Sequence, residues 1–489
     1  MRLHNKLRLS RPFNQNLVVA CILFCLPGIY TAITGLGAGG GKPSSADVAN
    51  QTNAILYGLF ALVGLFGGTI LNMLRPKLSL MIGSIGYPVY VGGLWYYDRT
   101  GNSWFPLLAG AILGISGGFL WTAAAYVQFA YAEEKDKAKY ISIQWMLKCV
   151  GAMVGGSISL SLNVHETKAV GVSNAVYATF VVLHSCAFFI AMIFIINPKN
   201  VVRDDGTHIA IFKPPRFWLE LKATLAIMLD HRYLILAPAQ IVCEMALALV
   251  SSVNSRYFNL RTRSLNNFSY QTIQVFIPGL LILVLDNQRI KSRQTRGLIG
   301  LGLMSAVSIG ACAGLIAWLE VYNVDDLTEA AGEDWTDAAW PGLFVCYLLF
   351  GMIYAGYQMV VEYTLASTTN DPSTLARVAG MFKCYSSFGM MISFIMAGER
   401  VTFLGQVILQ FVLYVLGAIG VAWVLIYRVK DSNYFTEEDV IVPLAEEERS
   451  KLAGLVTEEQ IAHEHEKELV AAQGKKGSAT LGQTEITAA

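Results

Sequence analysis

Apolar residues run along this chain in blocks of about 20, separated by short polar stretches, and 20 residues is the length a helix needs to cross a hydrocarbon core. The blocks predict twelve membrane spans, at 15–36, 51–73, 78–97, 105–131, 140–162, 175–196, 233–255, 268–286, 297–319, 341–366, 376–398 and 403–427. Twelve crossings leave both ends of the chain on one side. If the chain starts inside, the cytoplasmic loops and flanks hold 22 Lys and Arg and the opposite side holds 7. The positive-inside rule then places both termini in the cytoplasm. The first block follows the basic stretch RLHNKLRLSR, as a signal peptide would. Its apolar core from Leu17 to Leu36 is longer than a signal's, and further spans follow, so it reads as an uncleaved first span.

The longest connection between spans, 197–232, divides the chain into equal sets of six. The expected organisation is a cytoplasmic N-terminus at 1–14, a six-helix half at 15–196, a cytoplasmic linker at 197–232, a second half at 233–430 and an acidic, partly disordered cytoplasmic tail at 431–489. Within the tail, 444–472 can form a short amphipathic helix. The loop 320–340 carries seven acidic residues and no basic ones. Asn50 and Asn267 lie in glycosylation sequons on the non-cytoplasmic side.

The two halves repeat. GGFLWTAAAYVQFAYAEEKDKAKYISIQWMLKCVG at 117–151 and FGMIYAGYQMVVEYTLASTTNDPSTLARVAGMFKCYS at 350–386 each read span, polar loop, span. Each puts Met-x-Lys-Cys about a third of the way into the later span. Lys148 in span five and Lys383 in span eleven therefore occupy the same place in each half, roughly 10–12 Å along their helices at 1.5 Å per residue. Both spans run outward. The fold class that follows is all-α and polytopic, with twelve transmembrane helices in two parallel six-helix repeats, the arrangement of a major facilitator transporter.

A lysine at this depth is costly and marks either function or a specific structural partner. Gly151, Ala152, Gly155 and Ser159 share the helical face of Lys148, and Ala379, Gly380, Ser386 and Ser387 surround Lys383. Small residues mark packed faces, so both lysines point into the bundle. Glu362 in span ten is the expected partner of Lys383, and Gln128 takes the corresponding turn of span four beside Lys148. Lys148 then keeps a spare charge for an anionic ligand, a lipid headgroup or a proton-linked step, unless it snorkels or binds backbone carbonyls. Glu244, mid-span in span seven, is either a proton site or a hydrogen-bonded packing residue. Lys148, Gln128, Glu244, Glu362 and Lys383 are the substrate-binding or proton-coupling candidates.

Other polar and flexible positions fill in the outline. Span one holds Pro27 and Gly28, then runs into TGLGAGGGK with Gly35 and Gly37; these four are the candidate hinge. Asp286 at the exit of span eight stands before Arg289 and further basic residues, where a carboxylate can cap a neighbouring helix N-terminus and latch the cytoplasmic side. The corresponding first-half position has Asn72 ahead of Arg75, so the latch is expected to be weaker there.

Composition narrows the class further. The chain is 54% hydrophobic and 15% charged, with a net charge of +1, and no basic tract interleaves with aromatics as nucleic-acid binding requires. All eight cysteines lie inside apolar blocks, as small buried hydrophobes do. The HEHE run at 463–466 reads as a solvated face rather than a metal site. No nucleophile–base pair or nucleotide fingerprint stands out, so no enzyme activity, metal or cofactor is expected.

Four strings, TGLGAGGG, EEKDKAKYISIQW, LRTRSLNN and NDPSTLARVAGMFK, resemble the fungal branch of the uncoordinated-ninety-three-like family within the major facilitator superfamily. Arg75 and the basic stretch after Asp286 resemble the superfamily's cytoplasmic loop motif, from which Asn72 departs. The resemblance implies the fold and a membrane location, not a substrate, since that family spans channel regulators, trafficking partners and presumed transporters. Two functions are carried forward. One is a secondary transporter of a small molecule or ion, with a small anion or lipid-like solute in view. The other is a non-transporting regulator of a membrane-protein partner such as a channel or receptor.

Overall fold

In lipid a chain has no water to satisfy its backbone, so its spanning segments close their hydrogen bonds within helices. A computed structural model describes residues 8–34, 45–163, 174–212, 216–327 and 330–486. Span one is Pro12–Leu23 continued through a wide π-helical turn at Phe24–Gly28 into Ile29–Thr34. Spans two and three form one 55-residue run, Ala46–Thr100, broken at Arg75, where φ 66° and ψ 162° leave the helical region. Pro76 disfavours helical backbone at the residue before it, and the positive φ costs Arg75 on the order of 1–3 kcal/mol. The remaining spans are Trp104–Ala130, Lys137–Asn163, Asn174–Phe194, His231–Tyr257, Leu260–Leu285, Arg293–Tyr322, Trp340–Ala366, Pro372–Gly398 and Phe403–Tyr427. With the long run counted as two, these are the twelve expected crossings. Spans seven and ten are the most enclosed, while six, nine and twelve turn apolar faces such as Val182, Phe189, Ile309 and Ile419 outward.

The halves meet where spans two and eleven cross and where spans five and eight cross. At the first crossing backbone lies on backbone: a Cβ on Gly68 would stand 2.4 Å from the Arg377 Cα, and one on Gly380 2.7 Å from the Gly68 nitrogen. Within the first half, span one touches span five just as closely, since a Cβ on Gly28 would meet the Lys148 carbonyl oxygen at 2.5 Å.

The first described residues and the tail both meet the linker on one face, here termed the tail face. Arg8 donates to the carbonyls of Val202 and Arg203, each at 2.9 Å, which ties the N-terminus to the linker. The tail pairs with the same linker through an antiparallel bridge between Ala210 and Val440. It then forms two helices, Leu444–Leu452 and Glu458–Ile486. Residues 431–473 of the tail are folded, and the Asn433 N–H donates to Glu134 of the bundle's tail-face loop. The linker contains its own helix, Phe217–Leu229.

Span eight begins earlier than its hydropathy suggests. LRTRSLNN was expected in a loop but forms the buried first turns of the helix. Asn259 caps it by accepting from the Thr262 N–H at 3.0 Å, Asn254 donates to the Arg263 carbonyl at 3.1 Å, and Asp334 of the acidic loop pairs with Arg261. With its polar groups satisfied inside the protein, a polar sequence is helical here. Asn267 is 1% exposed, which closes its sequon to glycosylation.

The crossing of spans two and eleven has no room for a methyl group. Gly68→Ala and Gly380→Ala are each expected to cost about 1–3 kcal/mol by overpacking and to lower the melting temperature in detergent. Gly302→Ala, where a Cβ would meet nothing within 4 Å, should leave the melt unchanged or raise it. Equal melts for all three variants would contradict the contact.

Candidate functional site

Both repeat lysines begin from the same register. Lys137 and Pro372 open spans five and eleven, and Lys148 and Lys383 each lie eleven residues further on. At 1.5 Å per residue this is about 16 Å, half of a hydrocarbon core of roughly 30 Å. The helices start earlier than expected, so the lysines are deeper than the sequence suggested. Both are 1% exposed.

The lysines are met differently. Lys383 Nζ donates to Glu244 Oε1 at 2.9 Å, and its ammonium lies 4.4 Å from the ring centre of Trp121 in the other half. The expected Glu362–Lys383 pair is therefore replaced by Glu244–Lys383. Glu244 comes from span seven, and it also accepts from Ser386 at 3.4 Å. Glu362 instead accepts from two neutral amides, Gln128 Nε2 at 3.0 Å and Gln358 Nε2 at 3.1 Å. The Gln128 bond crosses between the halves. Gln128 is thus the partner of Glu362 rather than of Lys148. Lys148 rests on rings alone, 3.9 Å from the Trp145 centre and 5.1 Å from that of Tyr354 in the second half. Among the described residues none forms an ion pair or hydrogen bond with its ammonium.

These five residues, nominated from separate stretches, line two adjoining cavities. One is a small space between Gln128, Gln144, Trp145, Lys148, Glu362 and Lys383. The other is bounded by Tyr30, Tyr57, Tyr87, Trp121, Lys148, Glu244 and Tyr354 among others. Trp121, Trp145 and Lys148 belong to both walls.

With this geometry in place, comparison with known proteins is informative. Residues 49–422 match the family model described as UNC-93, ion channel regulatory protein. An uncharacterized membrane protein of Schizosaccharomyces pombe is 39% identical over 87% of this chain and 88% of its own. The chain belongs to the UNC-93 family. UNC93-like protein 1 of Arabidopsis thaliana is 30% identical, covering 88% of this chain and 93% of its own. Among solved structures, the proton:xylose symporter XylE superposes with a TM-score of 0.57 at 12% identity, over 85% of this chain and 95% of that one. That likeness establishes the major facilitator fold.

Below the cavity, the tail face of this UNC-93 family protein is shut by contacts between its halves. Asp286 accepts from the backbone N–H of Ala138 at 3.1 Å and of Lys139 at 2.7 Å, capping span five as its position suggested. Arg289 takes no part; its side chain is exposed. In the first half Asn72 cannot repeat this and donates instead, to the Ser373 carbonyl at 3.4 Å and to Glu220 at 2.9 Å. Glu220, from the linker helix, also pairs with Arg377 of span eleven at 3.0 Å. The linker thus supplies the carboxylate that position 72 lacks. Arg75 packs 6.0 Å over the Phe212 ring.

Sequence reasoning missed a second latch. Glu134 pairs with Arg293 at 3.0 Å, and the same oxygen accepts from Asn370 Nδ2 at 2.7 Å and from the Asn433 N–H at 2.8 Å. The only available signal was that Glu134 and Asn370 fall in equivalent loops of the repeat. Of the hinge candidates, Pro27 and Gly28 sit in the π-helical turn of span one, and Gly35 and Gly37 lie outside the described residues. The HEHE residues diverge: Glu464 pairs with Lys467 at 2.6 Å and His465 with Glu447 at 3.1 Å.

Two measurements follow from these contacts. Removing one partner of a buried ion pair strands the other, at about 3–5 kcal/mol, whereas replacing both is near neutral. Glu244→Gln should therefore depress the melting temperature strongly, and Glu244→Leu with Lys383→Met should recover most of the loss; additive effects would refute the pairing.

Burial pushes the Asp286 carboxyl up to about 7 against the capping N–H groups; nearby Asp136 adds to this rise and Arg296 opposes it. The native state then holds this proton up to about pH 7, and the unfolded state releases it near 3.8. The contribution to stability is largest at low pH and is lost as pH rises through 7. Melts at pH 5, 6, 7 and 8 should show wild type gaining on Asp286→Asn as pH falls. Parallel curves would exclude it.

Proposed function

We propose that this protein is a secondary active transporter in which the two halves rock around the paired cavities, with Glu362 as the group that exchanges a proton. The observation that carries this reading is the convergence of two lysines and two glutamates on the interface between the halves at mid-membrane depth. A pure scaffold has no need to hold four ionisable groups there, and their cost makes such residues a signature of solute or proton pathways. The partners of Glu362 suit either protonation state. Turned as they are, both amides donate; turned over, Gln358 Oε1, which has no partner among the described residues, accepts from a protonated carboxyl.

Rocking needs closures that can break on each face in turn. On the tail face these are Asp286 over span five, Glu220 with Arg377, and Glu134 with Arg293. On the opposite face Asp47 and Arg400 approach to 3.6 Å in an exposed pair between spans two and eleven. Such a pair holds little, at most about 1 kcal/mol, so that face opens first. The excess of Lys and Arg puts the tail face in the cytoplasm.

A second reading comes from the family's description as ion channel regulatory: docking on a membrane-protein partner without transport. The acidic segments suited to such docking are partly engaged inside this chain. Asp325 caps span twelve at the Phe403 and Leu404 N–H groups, Asp334 pairs with Arg261, and the tail's Glu437 accepts from Thr369 and Asn370. This weakens the docking reading without bearing on other surfaces.

Spin-label distances test transport without a known substrate. Labels at 135 and 288 report the tail face, where Gln288 donates to the Lys135 carbonyl at 3.4 Å, and labels at 47 and 400 report the other. Transport is expected to give two populations on each face that shift in opposite directions between pH 5 and 8, and Glu362→Gln should freeze one of them. A single narrow distance on both faces at every pH, with a co-purified membrane protein, would replace transport by docking.

A further inference from the structure

Among the charged groups of the cavities, Lys148 stands apart. Lys383 has a carboxylate at 2.9 Å and Glu362 has two amide donors. Lys148 is equally buried and lines both cavities, and among the described residues only the faces of Trp145 and Tyr354 lie against its ammonium. Ring faces stabilise a cation by about 2 kcal/mol or more when water is excluded, which falls short of the several kcal/mol lost in desolvation. A buried cation left in this deficit favours any anion that can reach it.

The surrounding wall says what such an anion carries. Tyr30, Tyr57, Phe60, Tyr87, Trp121 and Tyr354 bound the larger cavity. Several of their polar atoms are already engaged: the Tyr30 hydroxyl donates to Asn53 at 3.2 Å, and the Trp121 ring nitrogen donates to the Tyr87 hydroxyl at 3.1 Å. Glu244 also lines this space, but its charge is taken up by Lys383 at 2.9 Å, and most of the remaining wall is aromatic. In this closed arrangement the space between the rings is narrow, so a flat body enters it as the halves part.

We infer that the cavity is a site for an organic monoanion, a carboxylate or sulfonate headgroup on a flat or aromatic body, with Lys148 receiving the headgroup and the aromatic wall the body. This inference rests on the transport reading and specifies its substrate. One unpaired cation sets one negative charge. Inorganic anions would leave the aromatic space unfilled, and polyols would leave hydroxyls facing ring faces.

The test is binding to the detergent-purified full chain, followed by thermal shift and tryptophan quenching. The probes are 2-naphthoate, its neutral amide, 2-naphthylmethylammonium, sulfate and xylose. Naphthoate alone should stabilise the protein. Lys148→Met should lose about tenfold to a hundredfold in affinity, the value of one hydrogen bond to a charged group, and Lys148→Arg should retain binding. Lys148→Met removes an uncompensated charge, so a melt at or above wild type shows that it has folded. Naphthoate and its amide binding equally, or Lys148→Met binding as wild type does, would overturn the assignment. So would stabilisation by sulfate or xylose in place of naphthoate. The spin-label distances need no ligand. If the faces alternate while naphthoate fails, the substrate class falls and transport stands; if naphthoate binds while the faces stay fixed, the site stands and transport falls.

Discussion

A cation held at mid-membrane must be met by something, and much of this molecule is arranged by how its two repeat lysines are met. Each leans on an aromatic ring from the opposite half, Lys383 on Trp121 and Lys148 on Tyr354. Gln128 of one half donates to Glu362 of the other. The halves therefore share their costliest groups. Separating them on either face exposes those groups to whatever enters, water or solute, and closing them again requires the same partners to return. Backbone contacts as tight as Gly68 against Arg377 coexist with a cavity a few turns away; in the transport proposed above, that crossing would be the pivot and the polar groups would lie where the halves part.

The tail face shows how a pseudo-symmetric fold acquires asymmetric contacts between its halves. Asp286 caps span five directly, but its counterpart Asn72 carries no charge, and the linker's Glu220 takes over beside Arg377. A carboxylate borrowed from a surface helix can be withdrawn when that helix shifts, whereas Asp286 is fixed to a span. The Glu134 hub reaches further, because its Asn433 contact belongs to the tail. The tail thereby touches loops of both halves, and its folded segment weights the closed arrangement.

Much of this was legible in the sequence, and the failures are instructive. Met-x-Lys-Cys written twice was enough to place Lys148 and Lys383 at one depth, since depth depends only on helical rise. Partner choice depends on helix rotation, where one residue is about 100°, and on which helices are neighbours. Hence Glu362 was assigned to Lys383, although Glu244 on span seven faces it. The polar string at 260–267 read as a loop because hydropathy counts polar side chains as wet; Asn254, Asn259 and Asp334 satisfy them inside the protein instead. The docked tail was invisible for the complementary reason. Its contacts combine hydrogen bonds and ion pairs such as His208 with Glu468 at 2.6 Å with a few scattered buried apolar residues, Tyr434, Val440 and Val442, too few to set up a hydrophobic periodicity.

Charge arithmetic links the proton site to the proposed ligand. With Lys148, Lys383, Glu244 and Glu362 all ionised, the enclosed charge is zero, but it is unevenly distributed: Glu244 is committed to Lys383, and Glu362 shares the smaller cavity with both lysines. In a medium of low dielectric that carboxylate partly compensates Lys148 across the cavity. A proton on Glu362 removes the compensation and leaves one net positive charge beside the aromatic wall, which a monoanion neutralises. Binding of the two is then mutually favourable, and by linkage the proton assists the anion as much as the anion assists the proton. Reversing either sign breaks the scheme: a cationic solute would compete with the proton instead. The coupling needs no contact between proton and solute, only that both answer to Lys148, which has no ion pair among the described residues.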